Sequence, residues 1–374
     1  MEFRDLKKQY AALKPQMDAA ISSVLSEGAF ISGPQVAELE ARLAHYAGVR
    51  HCISCANGTD ALRLALMAYG IGSGDAVFVP DFTFFATAEM PAAQGAVPVF
   101  VDVNADTFNI DTIRLEQAIR STEKAGKLRP RAIIAVDLFG NCADYEALEE
   151  IAERHSLLII EDAAQSFGGK IGARRACSFG DIAASSFFPS KPLGCYGDGG
   201  AVFTDDDEAA ALIRSCAVHG KGCSKYDNER VGLNSRLDTL QAAILLVKME
   251  AFESYELEAV NEIARQYTEE LRGLVGTPVL DNKNYSSWAQ YTIRLNSREE
   301  RGQLREALKN KGIPTRIYYP KGLHRQRAFA GVLNYSTCPI TERLCGTVLS
   351  LPMHPYLSES DIDEVVEVIR NFFA

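Results

Sequence analysis

Lys191 is the residue of this chain whose setting best suits attack on a carbonyl. It stands in Ser185-Ser-Phe-Phe-Pro-Ser-Lys191-Pro-Leu-Gly194-Cys-Tyr-Gly197-Asp-Gly199-Gly200, between a serine-aromatic run and a glycine-rich turn. Ala183, Ser185 and Phe187 alternate with Ala184, Ser186 and Phe188 as a short buried strand does, and Pro189 and Pro192 stop it on either side of the lysine. The pattern puts Lys191 at a strand end among aromatics, where poor solvation lowers the ammonium pKa toward the neutral, nucleophilic amine. That suits a Schiff-base lysine, although an isolated lysine beside a turn more often snorkels to water.

Two further stretches offer partners for such chemistry. Leu157-Leu-Ile-Ile160-Glu161-Asp162-Ala-Ala-Gln165 reads as a buried parallel strand ending in a carboxylate, and the carboxyl ends of such strands are where α/β sheets bind ligands. Buried there, Asp162 needs a cationic or N–H partner. A protonated pyridine nitrogen would serve; a helix cap or salt bridge is the plainer role. Ser54-Cys-Ala-Asn57-Gly58-Thr59-Asp60 joins a strand to a helix, with Asn57 as N-cap and free N–H groups that can receive a phosphate. Other suggestive runs have plainer readings. Gly70-Ile-Gly72-Ser-Gly74 precedes a strand and reads as a turn, not a dinucleotide fingerprint. Cys52 and Cys55 fall on opposite faces of a strand, and with no second cysteine pair at ligand spacing no metal site is expected. Thr204 before Asp205, Asp206, Asp207 and Glu208 reads as an N-cap with acids in the first helical turn. His219 reads as a surface-loop histidine, and Trp288 and Tyr291 as core.

These residues need a scaffold, and 374 residues suit a large domain with a smaller one. Short apolar runs at Val77–Pro80, Val97–Val101, Ala132–Val136, Leu157–Ile160, Ile182–Phe187 and Ala201–Thr204 alternate with amphipathic segments at Ala61–Tyr69, Ile113–Ile119 and Tyr145–Arg154. This is the pattern of βα units around a mainly parallel sheet. The run from Ser235 to Arg272 has no Gly or Pro and predicts a bent helix or two helices carrying the domain junction. We therefore expect a large α/β domain with an N-terminal helical arm over 1–250 and a small α+β domain over 251–374. The latter should hold strands near Tyr291–Leu295 and Arg316–Tyr319, a helix over Glu299–Asn310, and a last helix opened by Ser358 and Asp361.

Composition narrows the partners. The net charge of −10 argues against nucleic acid, and no uncharged run approaches the roughly 18 apolar residues that span a bilayer. Nine scattered cysteines without a framework fit reduced thiols, so a cytoplasmic protein is expected. Between Ala307 and Thr341 there is no acid, while Lys309, Lys311, Arg316, Lys321, Arg325 and Arg327 stand together. Such a patch is either a solvated face or a site for a small anion.

Taken together, the ordered motifs resemble a known family. Asn57-Gly-Thr59-Asp-Ala-Leu, Glu161-Asp162-Ala-Ala-Gln165-Ser, Ser186-Phe-Phe-Pro-Ser-Lys191, Gly197-Asp-Gly-Gly200, Asn234-Ser-Arg236-Leu-Asp-Thr-Leu-Gln-Ala-Ala and Leu351-Pro-Met-His-Pro stand in the order of the DegT/StrS nucleotide-sugar aminotransferases. These belong to the pyridoxal 5'-phosphate (PLP) enzymes of fold type I, and the resemblance spans nearly the whole chain. It implies a Schiff base of PLP on Lys191, which then shuttles protons, and Asp162 paired with the pyridinium nitrogen. It further implies Gln165 at the ring hydroxyl and Phe84 stacked on the ring, with Phe82 and Phe85 left to the core. Gly58, Thr59 and Ser186 would take the phosphate, with Asn234 reaching in from a second copy, so the expected assembly is a homodimer with shared active sites.

The implied reaction moves an amino group from glutamate, through pyridoxamine phosphate, to a keto group of a nucleotide-linked sugar. The branch most resembled acts on UDP-2-acetamido-2-deoxy-3-oxo-D-glucuronate, in the synthesis of cell-surface polysaccharide (O-antigen) precursors. Arg236 would meet the uronic carboxylate, and Tyr318, Tyr319 and His324 the sugar. The chain departs from the family where His-Tyr-Pro is usual, having Tyr318-Tyr319-Pro320, and Lys321-Gly322-Leu-His324 replaces a form with proline before Leu-His. A 4-keto-6-deoxy sugar is the alternative substrate. A dehydratase of the same fold carries histidine in place of the lysine, and a silent regulatory homologue would have lost Lys191 or Asp162; neither residue is lost.

Overall fold

Runs such as Val77-Phe-Val79 are buried on both faces, and that burial organises the chain. The computed structural model describes residues 1–224, 226–332 and 336–374. Two helices lead, α1 (Leu6–Glu27) and α2 (Pro34–Ala47), separated by Gly28 in the left-handed conformation and by Pro34 at the first position of α2. The main sheet follows with β1 (His51–Cys55), β2 (Asp75–Pro80), β3 (Val97–Val101), β4 (Arg129–Val136) and β5 (Leu158–Asp162). After the two-residue strands β6 (Lys170–Ile171) and β7 (Arg174–Arg175), it is completed by β8 (Ile182–Ser186) and β9 (Gly200–Thr204). Its order is β1-β9-β8-β5-β4-β2-β3. β8, β5, β4, β2 and β3 run parallel, and β9 is antiparallel to both its neighbours.

Helices cover both faces, as a parallel sheet requires. α3 (Gly58–Ala68), α4 (Ala86–Ala93) and, after β9, α7 (Asp207–Cys216) pack with Val77, Val79 and Ile160. α5 (Thr112–Ala125) and α6 (Tyr145–His155) pack with Phe78, Ile133 and Ala135 on the opposite face. Cys55 belongs to the first of these layers, whereas Cys52 joins α2 beneath Ala183 and Phe203, so the two thiols do face apart. The N-cap of α7 (Asp207–Cys216) is Asp206, which accepts from the N–H groups of Glu208 and Ala209. Thr204, expected as that cap, instead ends β9, its hydroxyl donating to Asp181 O and accepting from Asp206 N. The ladder with β1 holds Thr204 in strand geometry, and the cap passes to the next residue that can leave it.

The Gly-free run is α8 (Thr239–Ala251), a π-widened turn at Phe252–Glu256, and α9 (Leu257–Leu271). Beyond it, a separate apolar cluster joins Val260, Tyr267, Trp288, Tyr291, Leu304, Leu351 and Ile369. Its elements are β10 (Asn284–Tyr285), which pairs with β6, then β11 (Tyr291–Arg294), α10 (Arg298–Asn310), α11 (Pro339–Thr347), β12 (Val348–Leu351) and α12 (Glu359–Phe373). β11 pairs antiparallel with β12, and Ser358 with Asp361 forms the capping box that opens α12. The strand expected over Arg316–Tyr319 is reduced to one bridge, Arg316 to Ser350. Tyr319 leaves the sheet direction to reach Gln165 and Phe82, and Pro320 can donate no ladder hydrogen bond.

Candidate active site

The carboxyl ends of β5 and β8 meet at one edge of the sheet, because Asp162 registers with Ala184 only two residues before Ser186. Asp162 is 6% exposed. Its Oδ2 accepts from Thr87 Oγ1 at 2.9 Å and its Oδ1 from Ala164 N at 3.3 Å. Burial pushes its pKa up, against the Thr87 hydrogen bond and the charge of Lys191.

Lys191 lies five residues beyond the end of β8, past the strand end expected for it. After Phe187, fully buried under α8, the chain turns so that Lys191 N donates to Phe188 O at 2.8 Å and Cys195 N to Phe187 O at 2.8 Å. The ammonium meets no hydrogen-bond or ion-pair partner among the described residues. Burial lowers its pKa to about 8, while Asp162 across the site opposes that shift and Arg4 adds to it. The amine is thus easier to deprotonate than a free lysine, and it feels the buried Asp162 carboxylate without forming an ion pair with it.

The start of α3 forms a third wall. Asn57 caps it, Oδ1 accepting from Asp60 N at 2.8 Å. A Cβ on Gly58 would stand 2.6 Å from Ser186 Cβ, so only glycine lets the first turn of α3, with Thr59, come this close to β8. Ser235 ties its own segment to the turn, accepting from Ala56 N and donating to Asp60 Oδ2. Phe84 is 56% exposed, whereas Phe82 is buried and Phe85 packs beneath α4. Gln165 is held at both ends of its amide: Oε1 accepts from Phe139 N at 2.8 Å and Nε2 donates to the Tyr319 hydroxyl at 3.1 Å, which leaves a second N–H free among the described residues.

The other expected site residues lie further out. Asn234 is exposed and accepts from Arg236, beside the Ser235 anchor. Tyr318 packs edge-on against Phe3 and Tyr319. His324 is tied to fully buried Asp81, its N and Nδ1 lying 2.7 and 2.6 Å from the two carboxylate oxygens. Asp81 holds the His324 pKa above its ordinary value. We therefore expect His324→Ala to lower stability by about 2–3 kcal/mol, since it strips a buried carboxylate of its ring partner. Because the folded-state pKa is raised, the His324 contribution is complete below the unfolded value of about 6.5 and fades as pH climbs through the raised value. Thermal unfolding of the two chains across pH 5–9 checks this, the gap between their melting temperatures narrowing at the alkaline end. The basic stretch is partly neutralised by the acids that bound it, Glu306 pairing with Lys309 and Glu342 with Arg325. Arg4 was no part of the expected site, and no local pattern singles it out. Its guanidinium donates to Lys191 O at 2.6 Å.

Comparison with known proteins gives this arrangement its context. The DegT/DnrJ/EryC1/StrS aminotransferase family matches residues 12–370. A relative from Pseudomonas aeruginosa, UDP-2-acetamido-2-deoxy-3-oxo-D-glucuronate aminotransferase, is 47% identical over 372 residues, covering 99% of this chain and 100% of its own. The crystal structure of a DegT DnrJ EryC1 StrS aminotransferase from Brucella abortus superposes with a TM-score of 0.97 at 52% identity, with 100% of each chain covered. The X-ray structure of S. venezuelae DesV in complex with a ketimine intermediate superposes with a TM-score of 0.92 at 38% identity, covering 99% of this chain and 98% of that one. The chain belongs to the DegT/DnrJ/EryC1/StrS aminotransferase family, PLP-dependent enzymes of fold type I.

Proposed function

We propose that this enzyme moves the amino group of glutamate to the 3-keto group of UDP-2-acetamido-2-deoxy-3-oxo-D-glucuronate, with Lys191 and Asp162 as its catalytic residues, serving cell-surface polysaccharide (O-antigen) precursor synthesis. The observation that carries the mechanism is a buried Lys191 amine without a hydrogen-bond or ion-pair partner among the described residues, its pKa lowered to about 8 by burial, close enough to buried Asp162 to feel its charge. The substrate rests on the 47% identity, across the full length of both chains, to the Pseudomonas aeruginosa enzyme of that name.

The residues present fit PLP. Lys191 would hold it covalently, Asp162 would face the ring nitrogen, Gln165 the ring hydroxyl and Phe84 the ring face. The α3 turn at Gly58 and Thr59, with Ser186, would receive the phosphate. When bound, PLP supplies an aldehyde and an electron sink. Lys191 would act as the proton carrier, taking the α-proton of glutamate and returning a proton to the sugar carbon, a task that needs a pKa near the working pH. Asp162, whose oxygens accept from Thr87 and Ala164 against the upward pull of burial, would face the ring nitrogen and favour its protonated form. Arg236 is assigned to the uronic carboxylate, and Tyr318, Tyr319 and His324 to the sugar side of the cleft. Tyr319, through Gln165, links that side to the ring position.

We further infer a homodimer in which Asn234 of each copy completes the other's phosphate site. Exposed Leu25, Phe30, Ile31, Phe188 and Val231 support this, as large apolar side chains that a second copy would cover. The boundary between a cofactor-binding unit over 1–250 and a small unit over 251–374 fits the π-widened turn that begins at Phe252. Nine unpaired cysteines suit a reducing compartment, hence the cytoplasm, and among the described residues no helix is long and apolar enough to cross a membrane.

Purified enzyme given glutamate and a panel of 3-keto and 4-keto nucleotide sugars should release 2-oxoglutarate fastest with the 3-keto uronate. Arg236→Ala is expected to cost about 10²-fold in kcat/KM for that uronate, and much less for its 3-keto counterpart lacking the carboxylate. Fastest turnover of a 4-keto-6-deoxy sugar would replace the substrate named here while leaving the role of Lys191 intact.

A further inference from the structure

Behind the turn that carries Lys191 runs a segment that the motifs leave out, residues 1–5. Phe3 O accepts from Met353 N at 3.3 Å, and the Phe3 ring packs against Tyr318 with Arg316 over its face. Asp5 caps α1, accepting from Lys8 N at 2.8 Å. Between these two anchors the Arg4 guanidinium donates to Lys191 O at 2.6 Å and to Pro192 O at 3.4 Å. The segment therefore spans from the Leu351-Pro-Met-His turn and the Tyr318 loop to the main chain on which the reactive amine is mounted.

We propose that Arg4 is a positioning residue for Lys191, pinning the peptide that carries the amine and setting a permanent positive charge beside it. Two physical effects follow. The Lys191 carbonyl, held by one guanidinium nitrogen, fixes the main chain from which the amine extends. A fixed cation also disfavours a second charge on Lys191 and so adds to the lowering of its pKa by burial. The surrounding groups fit this division of labour. Lys191 faces Asp162, which favours its charged form, and Arg4, which opposes it. Burial lowers the Arg4 pKa to about 10 and Glu256 opposes that shift, so the guanidinium stays charged through neutral pH. Glu256 is buried and held by Gln9 Nε2 at 2.9 Å and the Tyr356 hydroxyl at 2.6 Å. Lys248 and His354, which also feel Arg4, have lowered pKa values of about 7 and about 4. With its neighbouring bases biased toward neutrality, Arg4 supplies the lasting positive charge of this cluster.

This inference rests on the reading of Lys191 as the cofactor lysine, yet it can be tested on the amine alone. The full chain, freed of cofactor, is acetylated by limiting acetic anhydride from pH 6 to pH 10, and the Lys191 peptide is quantified by mass spectrometry. In Arg4→Gln, which keeps a donor for Lys191 O and loses the charge, the labelling midpoint should rise by about half a pH unit. That amounts to about threefold slower labelling at pH 7. Arg4→Lys, which keeps the charge, should stay near the native midpoint. A change in access alone would scale the rate at every pH and leave the midpoint in place. An unmoved midpoint in Arg4→Gln, or an equal shift in both variants, would overturn the proposal, whether or not Lys191 binds PLP.

Discussion

Lys191→Ala is expected to lower transamination by about 10⁴-fold, at the upper end of what one positioned acid–base group contributes. The loss should appear in kcat, because the residue acts on the proton at the reacting carbon and leaves the sugar contacts alone. Nothing in the fold should suffer. The ammonium has no partner among the described residues, and burial weighs against its charged form, so truncation removes a desolvation cost. An unchanged melting temperature with activity nearly abolished is the expected result. The native enzyme should also capture PLP faster as pH rises toward about 8, where the neutral amine becomes the major form. A variant that kept within tenfold of native activity would show that another group carries the proton.

Asp162→Asn is the second large effect, expected at about 10²- to 10³-fold in kcat, the size typical of removing one electrostatic contact to developing charge. The amide oxygen can still accept from Thr87 Oγ1 or Ala164 N, so the β5 edge should keep its shape. The variant loses only the negative charge. Since Asp162 raises the Lys191 pKa against burial, its loss should lower that pKa further below about 8. Lys191 acetylation should then proceed at lower pH than in the native chain, opposite in direction to Arg4→Gln. If Asp162→Asn transaminates at the native rate, the carboxylate has no part in activating the ring. If it unfolds, the charge of Asp162 on Thr87 Oγ1 is needed to hold the end of β5.

What could be read in advance follows from how local each signal is. The strands of the main sheet are buried on both faces, so runs such as Val97–Val101 and Ile182–Phe187 announce themselves without tertiary information. Ser358 and Asp361 lie three residues apart and cap each other, which makes α12 legible from its first turn. Thr204 and Asp206 compete for one cap two residues apart, and the pairing of β9 with β1 decides between them, a partner more than a hundred residues away. Tyr318 and Tyr319 have the composition of a strand. Their path is set by Phe3 and Gln165, which are remote in sequence. Arg4 is a further case, since its contact with Lys191 spans 187 residues and leaves no periodic or compositional trace. His324 is similar: the carboxylate that holds its Nδ1, Asp81, lies 243 residues away and leaves no local trace.

Reduction of the PLP-loaded enzyme with borohydride, followed by peptide mapping, tests the central claim most directly. A single pyridoxyl group is expected, on Nζ of Lys191, lost in Lys191→Ala and retained in Asp162→Asn. A stable label on Lys248 or any other lysine, or a loaded enzyme that reduction leaves unmodified, would contradict it.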